Sequence, residues 1–130
     1  MTKIFLAIAS IFGGLSVGAD AFASHALKDK LSEKALEIFE TAARYQMYHA
    51  LAILLVALLI NQTESSQPSL VIAGWAFIIG IVVFSGSLYA LSLTDIKVLG
   101  AITPLGGLAF IIGWAALAYS SLNFNSIIDN

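Results

Sequence analysis

Ionisable and aromatic side chains stand at the mouth of a long apolar run in "ETAARYQMYHALAILLVALLI", residues 40–60. Arg44 is cationic and His49 can exchange a proton near neutral pH, and Tyr45 and Tyr48 lie between them. An ionisable side chain inside a membrane normally faces the protein interior and finds a partner there. The stretch therefore indicates a proton or ion path, a binding site for a lipid headgroup, or a polar contact that locks helices together.

The composition identifies the class of protein that must position these residues. Of the 130 residues, 59% are hydrophobic and 11% are charged, against about 45–50% and about 25% in soluble domains. Four spans of about 20 residues with short connections would fill the chain and leave no room for a soluble domain. The net charge of −2 gives no reason to expect a nucleic-acid partner, and the absence of cysteine excludes disulfides and thiolate metal sites.

Hydrophobicity delimits four segments, each long enough to cross a bilayer as an α-helix. They cover residues 4–23, 41–60, 70–93 and 98–122. The pattern does not alternate as a β-barrel strand would, so we expect an all-α, four-helix transmembrane bundle forming a single domain over residues 1–130. The "AFA" at 21–23 could instead mark a signal-peptide cleavage site, but the apolar run before it is long for a signal core.

The first loop contains the one extended polar stretch, and its residues 32–44 have the pattern of an amphipathic helix. Its polar face carries Glu33, Glu37, Glu40 and Arg44, and its apolar face carries Ala35, Ile38, Phe39 and Ala42. We expect this segment to lie at the membrane interface or on the end of the bundle. Residues 61–69 and 94–97 read as polar turns, and residues 123–130 as a short frayed tail.

Lysine and arginine near the span ends predict the orientation. Loop one carries Lys28, Lys30, Lys34 and Arg44, and loop three carries Lys97, whereas the opposite side has only Lys3. We therefore expect a protein of the cell (inner) membrane with both termini outside.

Depth in the bilayer gives the charged groups their expected partners. A span that ends at Ile60 places Arg44 about 5 Å and His49 about 12 Å inside the hydrocarbon edge, at 1.5 Å per residue. Asp20 reaches a similar depth in the same leaflet, since the first two spans are antiparallel. We expect an Asp20–Arg44 ion pair, the alternative being that each side chain points separately to the interface. Glu40 also precedes Arg44 by four residues, the favourable order for a helical pair.

Further polar residues of spans three and four belong to the same side of the membrane, and together they predict one polar pocket between the helices. The candidate cluster is Asp20, His25, Glu40, Arg44, Tyr45, His49, Ser85, Ser87, Tyr89 and Thr103. A lone histidine on an apolar helix is more often a packing element than a ligand, and this reading stays open for His49. Trp75, Trp114 and Tyr119 fit an aromatic belt at the outer side.

Small residues mark the expected helix contacts. Ser10, Gly14 and Gly18 repeat every four residues in span one, and Gly74, Gly80, Gly86 and Gly113 lie in the later spans. Such positions allow close packing within the bundle, which we expect here, or between two copies of the chain.

Four ordered blocks resemble a known family. "AFASHALK" (21–28), "ETAARYQMYHALAIL" (40–54), "FSGSLYALSLT" (84–94) and "LGAITPLGGLAFIIGWAALA" (99–118) are similar to the signature blocks of the YgdD/YwdK-like small membrane proteins. The resemblance covers nearly the whole chain and implies a four-span inner-membrane protein of unknown activity, with a mitochondrial relative in animals. The family usually reads Gly-Ala-Phe-Gly-Ala-His where this chain reads "DAFASH" (20–25), so Asp20 is a departure. No catalytic or binding role for its recurrent polar residues is implied.

Three functions fit the sequence. The first is a structural or accessory protein that binds membrane lipid or a partner membrane protein, with self-association through Gly14 and Gly18 as an option. The second is a small oligomeric transporter or channel with a polar path at Arg44 and His49. The third, an intramembrane enzyme, has no metal-binding, paired-carboxylate or nucleophile motif behind it. We therefore expect an accessory protein without enzymatic activity, cofactor or metal.

Overall fold

Four long helices make up the protein in a computed structural model that describes residues 1–124. They are α1 (Thr2–Leu27), α2 (Glu33–Asn61), α3 (Pro68–Thr94) and α4 (Val98–Leu122). Each is long and apolar enough to cross a bilayer, and no strand separates them in the described range, which confirms the predicted all-α, four-span architecture. The tail predicted for 123–130 lies, from residue 125 onward, outside the described residues.

The amphipathic segment predicted at 32–44 is helical, but it is the beginning of α2 rather than a separate element. Ser32 caps this helix by accepting a hydrogen bond from the backbone N–H of Ala35 at 3.1 Å. No glycine or proline interrupts the chain from Glu33 to Asn61, so the backbone hydrogen bonds continue without a break. The polar first turns are thereby fixed in line with the membrane-spanning part of α2.

Short turns join the helices, and their residues explain where each helix stops. Pro68 stands in the first turn of α3, where its missing N–H costs nothing. Asp95 ends α3 in the left-handed conformation, with φ of 56°. Its carboxylate accepts a hydrogen bond from Lys97 Nζ at 2.8 Å, and this contact lowers the pKa of Asp95. Both side chains are exposed, so the pair is screened by solvent.

The helix α2 is central, with α1 along one side and α3 along another, and α4 packs against α3. The main apolar core lies away from loop one, and its fully buried members include Phe5, Ile53, Val56, Leu70 and Phe77. A smaller cluster of Ala23, Leu27 and Phe39 closes the bundle at the loop-one end. Both α1 and α3 contain one π-helical turn, over Ala23–Leu27 and Ile81–Ser85 respectively.

The tight contacts of the core are made by phenylalanine rings that pack directly against glycines of a neighbouring helix. A Cβ added at Gly74 would overlap the ring of Phe5, and one at Gly113 would meet the ring of Phe77 at 2.6 Å. Gly80 makes the same kind of contact with Phe110. These glycines therefore serve packing within the bundle, as the sequence predicted.

The prediction of packing within the bundle was wrong for Gly14, Gly18 and Gly86. A Cβ at any of these positions meets no atom of the described residues within 4 Å. All three glycines line one open apolar groove of about 710 Å³ between α1, α2 and α3, so each faces open space and not the surface of a neighbouring helix.

Candidate functional site

A pocket of about 600 Å³ lies between α1 and α2 near the first loop. Four ionisable side chains line it, two from each helix: Asp20, His25, Glu40 and Arg44. The other lining residues are small or apolar: Ser16, Val17, Ala21, Ser24, Ala43 and Met47. We refer to it below as the α1/α2 pocket.

The predicted Asp20–Arg44 ion pair is wrong. The two side chains line the same pocket from its opposite walls, yet no ion pair joins them. The helices touch closely at Ser16, whose Oγ donates to the carbonyl of Ala43 at 2.6 Å, but they leave an open pocket at the level of the charges. Asp20 and Arg44 are both exposed, so neither is forced against the other by burial.

The helical pair expected between Glu40 and Arg44 does not form either. Within residues 1–124, no side-chain hydrogen bond or ion pair engages Asp20, His25, Glu40 or Arg44. The sequence thus predicted which charged residues gather at this end of the protein, and the structure leaves all four side chains without a hydrogen bond or an ion pair in the described part of the chain.

The buried contact between α1, α2 and α3 is built on Gln46, which the sequence reasoning did not single out. Its Nε2 donates to the carbonyl of Phe12 at 2.8 Å, and its Oε1 accepts from the hydroxyl of Tyr89 at 2.8 Å. Ser85 of α3 donates to the carbonyl of Ala42 at 2.8 Å in the same region. A buried amide needs partners in a membrane, so a glutamine within an apolar run was the available signal.

His49 lies on a different side of α2 and is bound by α4. Trp114 Nε1 donates to His49 Nε2 at 3.1 Å, and His49 Nδ1 contacts the carbonyl of Tyr45 at 2.7 Å. The ring stacks on Phe110 with centroids 3.5 Å apart. The partners expected from α1 and from the polar residues of α3 are therefore replaced by Trp114, which the sequence had assigned to an aromatic belt.

The remaining candidates connect α3 to α4. Ser87 Oγ and Thr103 Oγ1 are hydrogen-bonded at 2.7 Å. The single polar pocket that the sequence predicted is thus divided into the α1/α2 pocket, the Gln46–Tyr89 contact, the His49–Trp114 contact and this hydroxyl pair. Among the residues that the structure describes, no group of three histidine, aspartate or glutamate side chains could hold a metal ion.

Comparison with known proteins gives the family. A family model described as "Protein of unknown function (DUF423)" matches residues 19–107, more than half of the chain. The chain belongs to this family. The matched range contains every ionisable residue of the α1/α2 pocket and the Gln46–Tyr89 contact, whereas Trp114 lies beyond it.

Curated relatives agree with this assignment. This DUF423 protein is 45% identical over 122 residues to the UPF0382 membrane protein YwdK of Bacillus subtilis (strain 168), and the match covers 94% of this chain and 98% of YwdK. It is 46% identical, with the same coverage, to a UPF0382 membrane protein of Staphylococcus epidermidis (strain ATCC 12228). No solved structure matches. These relatives and the four apolar helices identify an integral membrane protein and confirm the YwdK-like resemblance.

Proposed function

We propose that this DUF423 protein is an accessory protein of the cell (inner) membrane, without enzymatic activity, that binds a phospholipid in the α1/α2 pocket. The observation that carries the proposal is the set of four ionisable side chains around one open pocket, none of them engaged within the described residues. Ionisable groups at membrane depth normally have a partner. Since residues 1–124 supply none, the surrounding lipid is the nearest source of complementary charge.

The order of residues along the pocket supports an amphiphilic ligand. Val17 and Met47 line the part farther from loop one, whereas His25 and Glu40 line the part nearer to it. The lining therefore changes from apolar to charged along the helix axes. A phospholipid has the same order, since its acyl chains point to the bilayer centre and its headgroup to the surface.

A transport path through Arg44 and His49, the second function that fits the sequence, has less support. Arg44 lines the α1/α2 pocket, whereas both nitrogens of His49 are engaged by Trp114 and by the carbonyl of Tyr45. A proton relay through His49 would have to break at least one of these contacts. The two residues also do not line a common pocket in the described part of the protein.

Native mass spectrometry of the protein purified in mild detergent tests the proposal. We expect the wild-type protein to retain phospholipid, and we expect Arg44→Gln to lower the retained fraction about tenfold or more, since a charge-assisted contact to phosphate is lost. Lys30→Gln is the control, because Lys30 is an exposed cation outside the pocket. If the wild-type protein carries no phospholipid and instead retains another membrane protein, the proposed lipid ligand is wrong and the partner is a protein.

A further inference from the structure

The charges of the α1/α2 pocket are mixed, and this bears on which phospholipid would fit. Arg44 provides one guanidinium group, whereas Asp20 and Glu40 provide two carboxyl groups. A headgroup with only negative charge would satisfy Arg44 and would be repelled by both acids. A zwitterionic headgroup offers a phosphate to Arg44 and a cation to Asp20 and Glu40.

We infer that the α1/α2 pocket selects a zwitterionic phospholipid whose headgroup carries a primary ammonium, that is, a phosphoethanolamine headgroup. The inference rests on the proposed function and names the ligand class of the same site. The phosphate would contact Arg44, and the ammonium would contact the carboxyl groups of Asp20 and Glu40. The apolar chains would lie beside Val17 and Met47, which line the deeper part of the pocket.

The spacing of the charges on α2 agrees with the order of groups in this lipid. Glu40 stands four residues before Arg44 and thus about one helical turn, about 6 Å, nearer to loop one. In a phosphoethanolamine headgroup, the ammonium is linked to the phosphate through two carbons and can extend farther from the bilayer centre. A phosphate at the level of Arg44 therefore brings the ammonium to the level of Glu40.

The pocket lining also distinguishes a primary ammonium from a trimethylammonium. Proteins recognise quaternary ammonium groups with cages of aromatic rings, whereas no phenylalanine, tyrosine or tryptophan lines the described α1/α2 pocket. A primary ammonium instead donates three hydrogen bonds. Asp20, Glu40 and the hydroxyl of Ser24 can provide the acceptors, because all three line the pocket.

A competition experiment tests the inference on the wild-type protein. The delipidated protein in detergent is mixed with equal amounts of phosphatidylethanolamine, phosphatidylcholine and phosphatidylglycerol of identical acyl chains, and bound lipid is counted by native mass spectrometry. We expect phosphatidylethanolamine to be bound about tenfold over each of the others, the effect of one charge-assisted contact. Deacylated glycerophosphoethanolamine should bind far more weakly, because it lacks chains to contact Val17 and Met47.

Two matched variants connect the selectivity to the pocket. Glu40→Gln should abolish the preference for phosphatidylethanolamine over phosphatidylglycerol while phospholipid binding persists. Glu37→Gln should keep the preference, since Glu37 is an exposed acid on the same helix and does not line the pocket. Circular dichroism melting of both variants shows that the fold is retained, and Asp20→Asn replaces Glu40→Gln if the latter does not fold.

The possible outcomes separate this inference from the proposed function. Phospholipid binding without headgroup preference, or with a preference for phosphatidylcholine or phosphatidylglycerol, overturns the selectivity and leaves the proposed function standing. Binding of no phospholipid at all overturns the proposed function itself. Equal binding of glycerophosphoethanolamine and the intact lipid would identify a soluble headgroup compound as the ligand and overturn the assignment to a lipid.

Discussion

The indole Nε1–H of Trp114 donates a hydrogen bond to Nε2 of His49 over 3.1 Å and thereby ties α4 to α2. Because Nε2 accepts this bond, the proton of the neutral ring lies on Nδ1, which donates to the carbonyl of Tyr45. Phe110 covers one face of the ring. The structure thus gives His49 a packing role, one of the two roles that the sequence had left open for it.

Trp114→Phe tests this contact directly. The variant keeps an aromatic ring but removes the indole N–H that donates to His49 Nε2, so we expect the free energy of unfolding to fall by about 1 kcal/mol, within the range of interhelical hydrogen bonds in membranes. Unfolding in mixed micelles measures the change. Trp75→Phe is the control, because no hydrogen bond of the Trp75 indole is found among the described residues. An equal loss in both variants would show that ring size matters and the hydrogen bond does not.

Gln46 and Tyr89 form the second testable contact, and a double-mutant cycle separates their mutual bond from their other interactions. Gln46→Leu leaves the Tyr89 hydroxyl without its partner and also removes the bond to the carbonyl of Phe12. We expect Gln46→Leu to cost about 1–2 kcal/mol and Tyr89→Phe to cost less, since the amide makes two contacts. The double variant should lose less free energy of unfolding than the sum of the losses in the two single variants. Full additivity, measured by unfolding in mixed micelles, would contradict the bond.

Gly106 and Gly107 give a matched pair for the α3–α4 contact. A Cβ at Gly106 would overlap the backbone nitrogen of Phe84 and lie 2.7 Å from its Cα, and a backbone cannot move aside as a side chain can. We expect Gly106→Ala to destabilise the protein by about 1–3 kcal/mol or more. Among the described residues, a Cβ at Gly107 meets just one atom, Cδ2 of the Phe84 ring, at 4.0 Å. Gly107→Ala should therefore be neutral or stabilising by up to about 1 kcal/mol, and thermal melting in detergent compares the two. Equal melting temperatures would show that this close approach is absent.

The orientation of the chain is open to a labelling test because the native sequence contains no cysteine. Ser66→Cys lies in the loop between α2 and α3, and Asp29→Cys lies in loop one; both positions are exposed. With both termini outside, loop one lies inside and the loop that contains Ser66 lies outside. A membrane-impermeant maleimide applied to intact spheroplasts should then react with Ser66→Cys. The lysines of loop one predict that this loop is inside, so we expect Asp29→Cys to react only after permeabilisation of the membrane, whereas Ser66→Cys reacts without it. The reverse pattern would invert the topology.

Self-association through α1 is a further proposal that the exposed Gly14 and Gly18 support. A Cβ at either position meets no described atom within 4 Å, and both glycines line an open groove, so Gly14→Leu with Gly18→Leu should leave the free energy of unfolding within about 0.5 kcal/mol of the wild-type value. The same variant should reduce energy transfer between labelled copies in liposomes if two α1 helices pack on these glycines. Gly13→Leu on the same helix is the control, because a Cβ at Gly13 also meets no described atom within 4 Å and Gly13 does not line the groove that contains Gly14 and Gly18. Unchanged energy transfer in the α1 variant would refute this interface.

The positions of polar residues around α2 could have been worked out further from the sequence. His49 follows Arg44 by five residues, which turns it about 140° around the helix at 3.6 residues per turn. That angle alone indicates that the two side chains face different neighbours, as the structure shows. Their similar depth puts both residues in the same leaflet, but depth does not include this rotation. A prediction from depth alone therefore gave one pocket, where the structure has several separate contacts.

The sequence alone determined the membrane class, the four helices and the end of the bundle at which charged residues gather. These properties follow from hydrophobicity and length, which are summed along the chain and do not depend on how helices turn toward each other. Only the tertiary structure decided that Trp114 binds His49, that Gln46 joins Phe12 to Tyr89, and that Asp20 and Arg44 face one pocket without pairing. Such contacts depend on the rotation of each helix about its axis and on which helices are neighbours, and side chains 65 positions apart carry no local signal of either.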